Sequence, residues 1–150
     1  QGGNDWIRGL EGDDCLFGGL GNDSIYGGDG DDTVYGSDGI DALDGNAGND
    51  FLFGGDGHDY LFGGEGTDTI TTGGGRDKLV FSGDVGSMDR VTDFEIGLDR
   101  IILRSYQTSY AALSFDTISI PGSTVITLPN GKKIRLLNWN NAVGSSQFVF

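Results

Sequence analysis

The feature that most constrains this chain is a nine-residue period that runs through residues 1–81 without an insertion or deletion. Residues 18–35 hold two copies in tandem, GGLGNDSIY and GGDGDDTVY. Each has Gly at its first, second and fourth places, Asp at the sixth and an aliphatic residue at the eighth. The sixth place is filled by Asp5, Asp14, Asp23, Asp32, Asp41, Asp50, Asp59, Asp68 and Asp77. The eighth is filled by Ile7, Leu16, Ile25, Val34, Leu43, Leu52, Leu61, Ile70 and Leu79. A phase kept this long marks a repeat architecture, because the glycines of a flexible linker hold no register.

The first six places of a unit, rich in glycine, suit turns and not helix or strand. The last three, such as Ser24-Ile25-Tyr26, suit a short strand whose middle side chain points inward. One such strand cannot bury its aliphatic residue, but a stack of them can. Two units then make one coil of turn, strand, turn and returning strand, and the coils stack as two parallel sheets around a thin core. The expected fold is all-β, a parallel β-roll over residues 1–81, with a small β segment over 82–150 capping its open end.

In that roll, units two apart share an edge. Asp5, Asp23, Asp41, Asp59 and Asp77 line one edge; Asp14, Asp32, Asp50 and Asp68 line the other. Residues 1–81 carry 17 acidic against 3 basic side chains, a net −14, while residues 82–150 carry 6 against 6. Carboxylates stacked at the strand spacing of about 4.8 Å repel strongly unless a cation lies between them. The turns also expose backbone carbonyls, at Gly18, Gly19, Gly21, Gly27, Gly28, Gly30, Gly36, Gly39, Gly45, Gly48, Gly54, Gly55, Gly57, Gly63, Gly64, Gly66 and Gly75. Carboxylate plus carbonyl is the oxygen-only donor set of a hard cation, and a flexible cage of six or more ligands favours Ca²⁺ over Mg²⁺. Zinc and copper are excluded from the repeats by their lack of His and Cys ligand sets. Five loops on one edge and four on the other leave gaps for about seven ions, whose charge would balance the repeats.

These residues resemble the calcium-binding nonapeptide repeat of the RTX (repeats-in-toxin) family. The resemblance implies a β-roll in which the sixth-place Asp supplies a carboxylate and neighbouring turns supply carbonyls. Leu10, Ser37 and Asn46 depart from the pattern at the second place, Thr72 at the first and Ile40 at the fifth. Two departures fall in the unit Gly36–Asp44, where a vacancy is expected first. The tail carries DRVTDFEIGLDRIIL from Asp89, similar to the segment after the repeats in serralysin-type proteases and mannuronan epimerase R-modules. Its FVF ending is similar to the C-termini of proteins exported by type I secretion. The resemblance implies a secreted, extracellular module that meets a type I secretion apparatus, with no cleaved N-terminal signal. The first unit lacks its opening glycine, which predicts a fragment of a longer protein.

In the tail, residues 88–94 and 98–103 read as strands about a turn at Gly97, and residues 110–113 as a short helix. Residues 124–128 and 132–137 alternate around Pro129-Asn130-Gly131, a hairpin signal, and Trp139 and residues 148–150 add apolar surface. The acidic charge argues against nucleic acid and anionic membrane surfaces as partners. No apolar run has the length of a membrane span. Cys15 has no intrachain partner, and His58, the one histidine, sits at a variable fifth place and is expected in a solvent-exposed loop. No nucleophile or metalloprotease signature occurs, so the chain reads as a non-catalytic module. Two function classes stay open. One is a module that folds on calcium outside the cell and supports export and stability of its parent. The other is a polysaccharide- or surface-binding module, suggested by an outward ladder of Phe17, Tyr35 and Phe53.

Overall fold

The computed structural model describes residues 2–81, 87–96, 98–103, 114–116, 123–137 and 148–149. The repeats form β1 (Trp6–Glu11), β2 (Cys15–Leu20), β3 (Ser24–Asp29), β4 (Thr33–Gly39), β5 (Ala42–Ala47), β6 (Phe51–Gly57), β7 (Tyr60–Glu65), β8 (Thr69–Gly75) and β9 (Lys78–Phe81). The tail adds β10 (Met88–Val91), β11 (Arg100–Leu103), β12 (Ser114–Asp116), β13 (Ser123–Thr127), β14 (Lys133–Leu137) and β15 (Phe148–Val149). One sheet has the order β1-β3-β5-β7-β9-β11-β15 and the other β12-β13-β14-β10-β8-β6-β4-β2. Strands within the repeats pair only in parallel, each with the strand one coil away, such as Ile25 with Leu43 and Val34 with Leu52. The expected parallel β-roll is the fold observed.

The eighth-place aliphatics make the core. Ile25, Val34, Leu52, Leu61, Ile70 and Leu79 are fully buried, and Leu43 nearly so, between the sheets. Ile7 and Leu16, at the first coil, pack against this cluster but stay partly exposed. Phe81, Val91, Ile101, Ile126, Ile134 and Leu136 carry the core into the tail.

Strands are six or seven residues long in most of the repeats, twice the three residues expected. The reading of the first six places as turn alone is corrected: pairing resumes at the second and third places of the next unit, as in Gly28 with Asn46 and Asp29 with Ala47. The first place drops out of the register, so each strand bends there. Glycine makes the resumption possible, since Gly28 has φ +129° and Gly30 +134°, angles that side chains resist. Where the second glycine is replaced, the backbone keeps its course: Leu10 and Ser37 have φ 85° and Asn46 has φ 70°.

The nine-residue register stops at Phe81, but the sheets do not. β10 pairs in parallel with β8, and β11 with β9. The expected hairpin forms from β13 and β14, antiparallel around Gly131 (φ +89°), and β14 lies parallel to β10. β15 adds to β11. The expected helix over residues 110–113, the turn at Gly97, Trp139 and Phe150 lie outside the described residues.

Candidate metal centre

Every sixth-place Asp falls where two coils meet at an edge of the roll. From Asp23 onward, its Oδ1 accepts the backbone N–H of the sixth-place Asp one coil earlier. Along one edge Asp5 N donates to Asp23 Oδ1 at 2.7 Å, Asp23 N to Asp41 at 2.8 Å, Asp41 N to Asp59 at 2.9 Å and Asp59 N to Asp77 at 2.9 Å. Along the other, Asp14 N donates to Asp32 at 2.8 Å, Asp32 N to Asp50 at 2.8 Å and Asp50 N to Asp68 at 3.1 Å. The two rows expected from the period are therefore continuous chains of hydrogen bonds.

The second oxygen is left over. Oδ2 of Asp14, Asp23, Asp32, Asp41, Asp50, Asp59, Asp68 and Asp77 is buried and has no hydrogen-bond partner among the described residues. A buried carboxylate oxygen without a partner costs more than the roughly 1–3 kcal/mol of an orphaned neutral acceptor. Repulsion between neighbouring members adds roughly 3–4 kcal/mol per pair, at about 4.8 Å and an effective dielectric constant of about 20. Both penalties vanish if a divalent cation sits against each Oδ2.

Carbonyls supply further oxygens. Beside the Cα of Gly18, Asp23 Oδ2 converges with the carbonyl of Gly36, one coil on, so that a Cβ there would collide with both. The same pair of oxygens recurs beside Gly9, Gly27, Gly36, Gly45 and Gly54, from Asp14, Asp32, Asp41, Asp50 and Asp59 with the carbonyls of Gly27, Gly45, Gly54, Gly63 and Thr72. Each first-place glycine thus leaves room for a cradle between coils. Among the described residues no three His, Cys, Asp or Glu side chains come together as a metal cluster. The donor set is instead carboxylate plus backbone carbonyl, which suits a hard cation and fits Ca²⁺.

At several of the second and fourth places, packing between coils also requires glycine. A Cβ on Gly28, Gly55, Gly57, Gly64, Gly66 or Gly75 would strike the carbonyl of the preceding coil. The unit Gly36–Asp44 keeps the site geometry despite its departures, with Asp41 in the row and the carbonyl of Gly54 2.5 Å from a Cβ on Gly36. A shallower ladder runs through the fifth places. Asn22 N donates to Asn4 Oδ1, Ile40 N to Asn22 Oδ1, and Arg76 N to His58 Nδ1, all at 2.9 Å. His58 is exposed, as expected, and serves as an acceptor in this ladder.

Without ions, burial raises several carboxyls of the rows above the ordinary carboxylate range. Burial pushes the carboxyls of Asp50 and Asp59 up to about 6 and that of Asp68 up to about 7. In each, an N–H from the preceding coil opposes the rise and a neighbouring carboxylate adds to it. Asp32, Asp41 and Asp77 are raised for the same first reason, burial.

Two members of the rows come from outside the repeats. Asp68 N donates to Asp89 Oδ1 at 3.2 Å, and Asp77 N to Asp99 Oδ1 at 3.1 Å. The intervals, 21 and 22 residues, break the eighteen-residue step, which is why the period did not reveal them. A signal was present: Asp89-Arg90-Val91 and Asp99-Arg100-Ile101 keep the sixth-to-eighth-place pattern.

Comparison with known proteins agrees with this geometry. The pattern of the RTX calcium-binding nonapeptide repeat matches in four copies, at residues 1–25, 16–43, 35–70 and 44–79. In solved structures, the chain is similar to a subunit of the mannuronan C5-epimerase of Azotobacter vinelandii, with 28% identity, a TM-score of 0.53, and coverage of 95% of this chain and 80% of that one. It is also similar to an extracellular lipase of Serratia marcescens, with 17% identity and a TM-score of 0.55. That likeness covers 99% of this chain but 38% of the lipase, and it shows the fold alone. The curated protein sequences contain no match to the chain. With the repeat pattern matched over more than half of its length, the chain belongs to the RTX calcium-binding nonapeptide repeat family.

Proposed function

We propose that this chain is a calcium-triggered folding module of a larger exported protein, disordered where calcium is scarce and folded where it is plentiful. The observation that carries this reading is the two rows of buried Asp oxygens without a partner among the described residues. With −14 of charge in residues 1–81 and two core aliphatics per coil, the fold gains too little from burial to offset repulsion and the backbone entropy of its glycines. Ion binding then supplies the folding free energy. About seven ions would fill the gaps between the nine sixth-place carboxylates, each held by Oδ2 oxygens and first-place carbonyls.

Extracellular calcium modules bind at about 0.1–1 mM, so such a chain would stay unfolded in a low-calcium cytosol and fold outside. That order suits passage of an unfolded chain through a type I secretion apparatus. Residues 1–81 form the ion-binding roll and residues 82–150 its cap, with the export address at the C-terminus. No helix among the described residues is long and apolar enough to cross a membrane. The module itself is non-catalytic; the activity belongs to its parent. Circular dichroism against free calcium tests the reading. A cooperative rise in strand signal, with a Hill coefficient above one, is expected. A strand-rich spectrum in excess chelator that calcium leaves unchanged would overturn it.

A second reading is favoured by the outer face of the even-numbered strands. Phe17, Tyr35 and Phe53 stack at ring separations of 4.7 Å with interplanar angles of 2° and 7°. Phe17 is 60% exposed, and Phe51 beside the stack is 49% exposed. Such a flat aromatic strip suits the faces of sugar rings, and the similar epimerase acts on a polysaccharide, mannuronan. Glycan binding by the calcium-loaded module, weakened by Tyr35→Ala and Phe53→Ala without loss of fold, would support it; unaltered binding would reduce the stack to stiffening of the sheet.

A further inference from the structure

The rows do not end as they run. In the repeats each buried Asp uses Oδ1 for the ladder and leaves Oδ2 bare. At the two Asp residues that close the rows, a protein group faces the second oxygen, through an ion pair at Asp89 and a hydrogen bond at Asp99. Lys132 Nζ lies 2.9 Å from Asp89 Oδ2, with both side chains 1% exposed. Asp99 Oδ2 accepts the Glu95 N–H at 2.8 Å, with the Thr72 hydroxyl 3.4 Å away.

Lys132 is held in place for this role. It lies in the turn between β13 and β14, where Lys132 N donates to Asn130 Oδ1 at 3.1 Å and Leu128 N to the Lys132 carbonyl at 2.9 Å. Next to it, Lys133 N donates to the Ser87 carbonyl at 2.9 Å and starts the parallel pairing of β14 with β10. An ammonium is not buried this deeply without a fixed anionic partner, because desolvation costs several kcal/mol per ion. The turn therefore delivers a positive charge to the place one step beyond Asp68.

The other row shows the same closure by different means. Thr72 occupies the first place of its unit, where the inner coils have glycine and where a Cβ on glycine would collide with the cradle oxygens. Its hydroxyl donates to Asp93 Oδ1 at 3.0 Å, and Asp93 also accepts the N–H groups of Thr72 and Gly73 at 2.8 and 2.9 Å.

We propose that Asp89 and Asp99 are calcium-free terminators, and that Lys132 is a built-in cation standing where the row would otherwise take an ion. This rests on the reading that the rows bind calcium. Calcium then fills the gaps as far as Asp68 and Asp77 and no further, and the last coil is joined to the tail by protein side chains alone.

Anomalous scattering from crystals of the calcium-loaded chain tests this directly. Peaks are expected between Asp50 and Asp68 and between Asp59 and Asp77, with none between Asp68 and Asp89 or between Asp77 and Asp99. A peak at either of the last two places would overturn the proposal, whereas a chain with no peaks would overturn the calcium reading beneath it. In solution, the paired replacement Asp89→Asn with Lys132→Met should keep the wild-type number of bound ions by equilibrium dialysis. Asp50→Asn should lose at least one. Loss of an ion from the paired variant would also overturn the proposal.

Discussion

Asp23 and Asp41 stand eighteen residues apart in sequence and one coil apart in space, joined by a 2.8 Å hydrogen bond from Asp23 N to Asp41 Oδ1. That bond fixes the carboxylate so that Oδ2 turns into the gap between coils, beside the carbonyl of Gly54. One oxygen builds the scaffold and the other is presented to the ion. The two roles can be separated by substitution.

Asp41→Asn keeps an acceptor for Asp23 N but removes the charge. In calcium, the midpoint for folding should rise about tenfold, the equivalent of about 1.4 kcal/mol. In chelator the sign reverses: removing one like charge from the row should make the ion-free chain slightly more compact. Calcium titrations followed by circular dichroism, and diffusion by NMR in chelator, check both arms. A midpoint equal to that of wild type would mean that Asp41 holds no ion, the outcome expected if the degenerate unit Gly36–Asp44 is vacant.

The glycines separate in the same way. Gly27→Ala places a Cβ against Asp32 Oδ2 and the Gly45 carbonyl, and should cost about 1–3 kcal/mol as overpacking in addition to the ion. Ser37→Gly should do the opposite. Ser37 holds φ 85°, which costs roughly 1–2 kcal/mol for a residue with a Cβ, while glycine there gives back roughly 0.5–1 kcal/mol in unfolded-state entropy. A net gain of up to about 1 kcal/mol is expected in thermal melts at saturating calcium.

Most of the roll could be read from the sequence because the period fixes three things at once. It sets which side chain is buried, as Ile25 and Leu43 show, which carboxylates align, and which aromatics stack, as Phe17, Tyr35 and Phe53 do. The length of the strands could not be read, because glycine at φ +129° extends a ladder as Gly28 does, although glycine usually weakens strands. The ends of the rows were hidden for a different reason. Asp89 and Asp99 enter after insertions of three and four residues relative to the eighteen-residue step, and Lys132 reaches its place only through a hairpin more than forty residues farther on. Contacts of that kind are set by tertiary docking and leave no period behind.

Acidity should act on the two states in opposite ways. Asp50 and Asp59 titrate near 6 and Asp68 near 7 in the ion-free fold, against 3.8 for the ordinary side chain. Each proton is thus bound more tightly in the fold than in the unfolded chain, and protonation stabilises the ion-free roll. That contribution is complete below about pH 4 and is lost as pH rises to about 7. Strand signal in chelator should therefore increase on going from pH 7.5 to pH 5. Calcium must displace the same protons, so the calcium midpoint should rise several-fold over that interval. A midpoint independent of pH would show that the row carboxyls are not the ligands.

Removing residues 82–150 tests whether the tail is part of the fold or only an address. Without it, Leu79, Val80 and Phe81, all nearly or fully buried, lose the cover of β11 and the core beyond it. Burying each such side chain is worth about 1.5–3 kcal/mol, and the shortened chain would forfeit part of that for all three. Asp68 N and Asp77 N would also lose their acceptors, Asp89 and Asp99, at the last coil. The last coil would then be left uncovered on its outer side. Because each coil is held mainly by its neighbours, fraying at an uncovered end should spread inward. Residues 1–81 alone should need at least tenfold more calcium to fold and should fold with a lower Hill coefficient, read by circular dichroism against free calcium. Equal midpoints and equal cooperativity for the short and long chains would show that the repeats stand alone and that the tail serves export only.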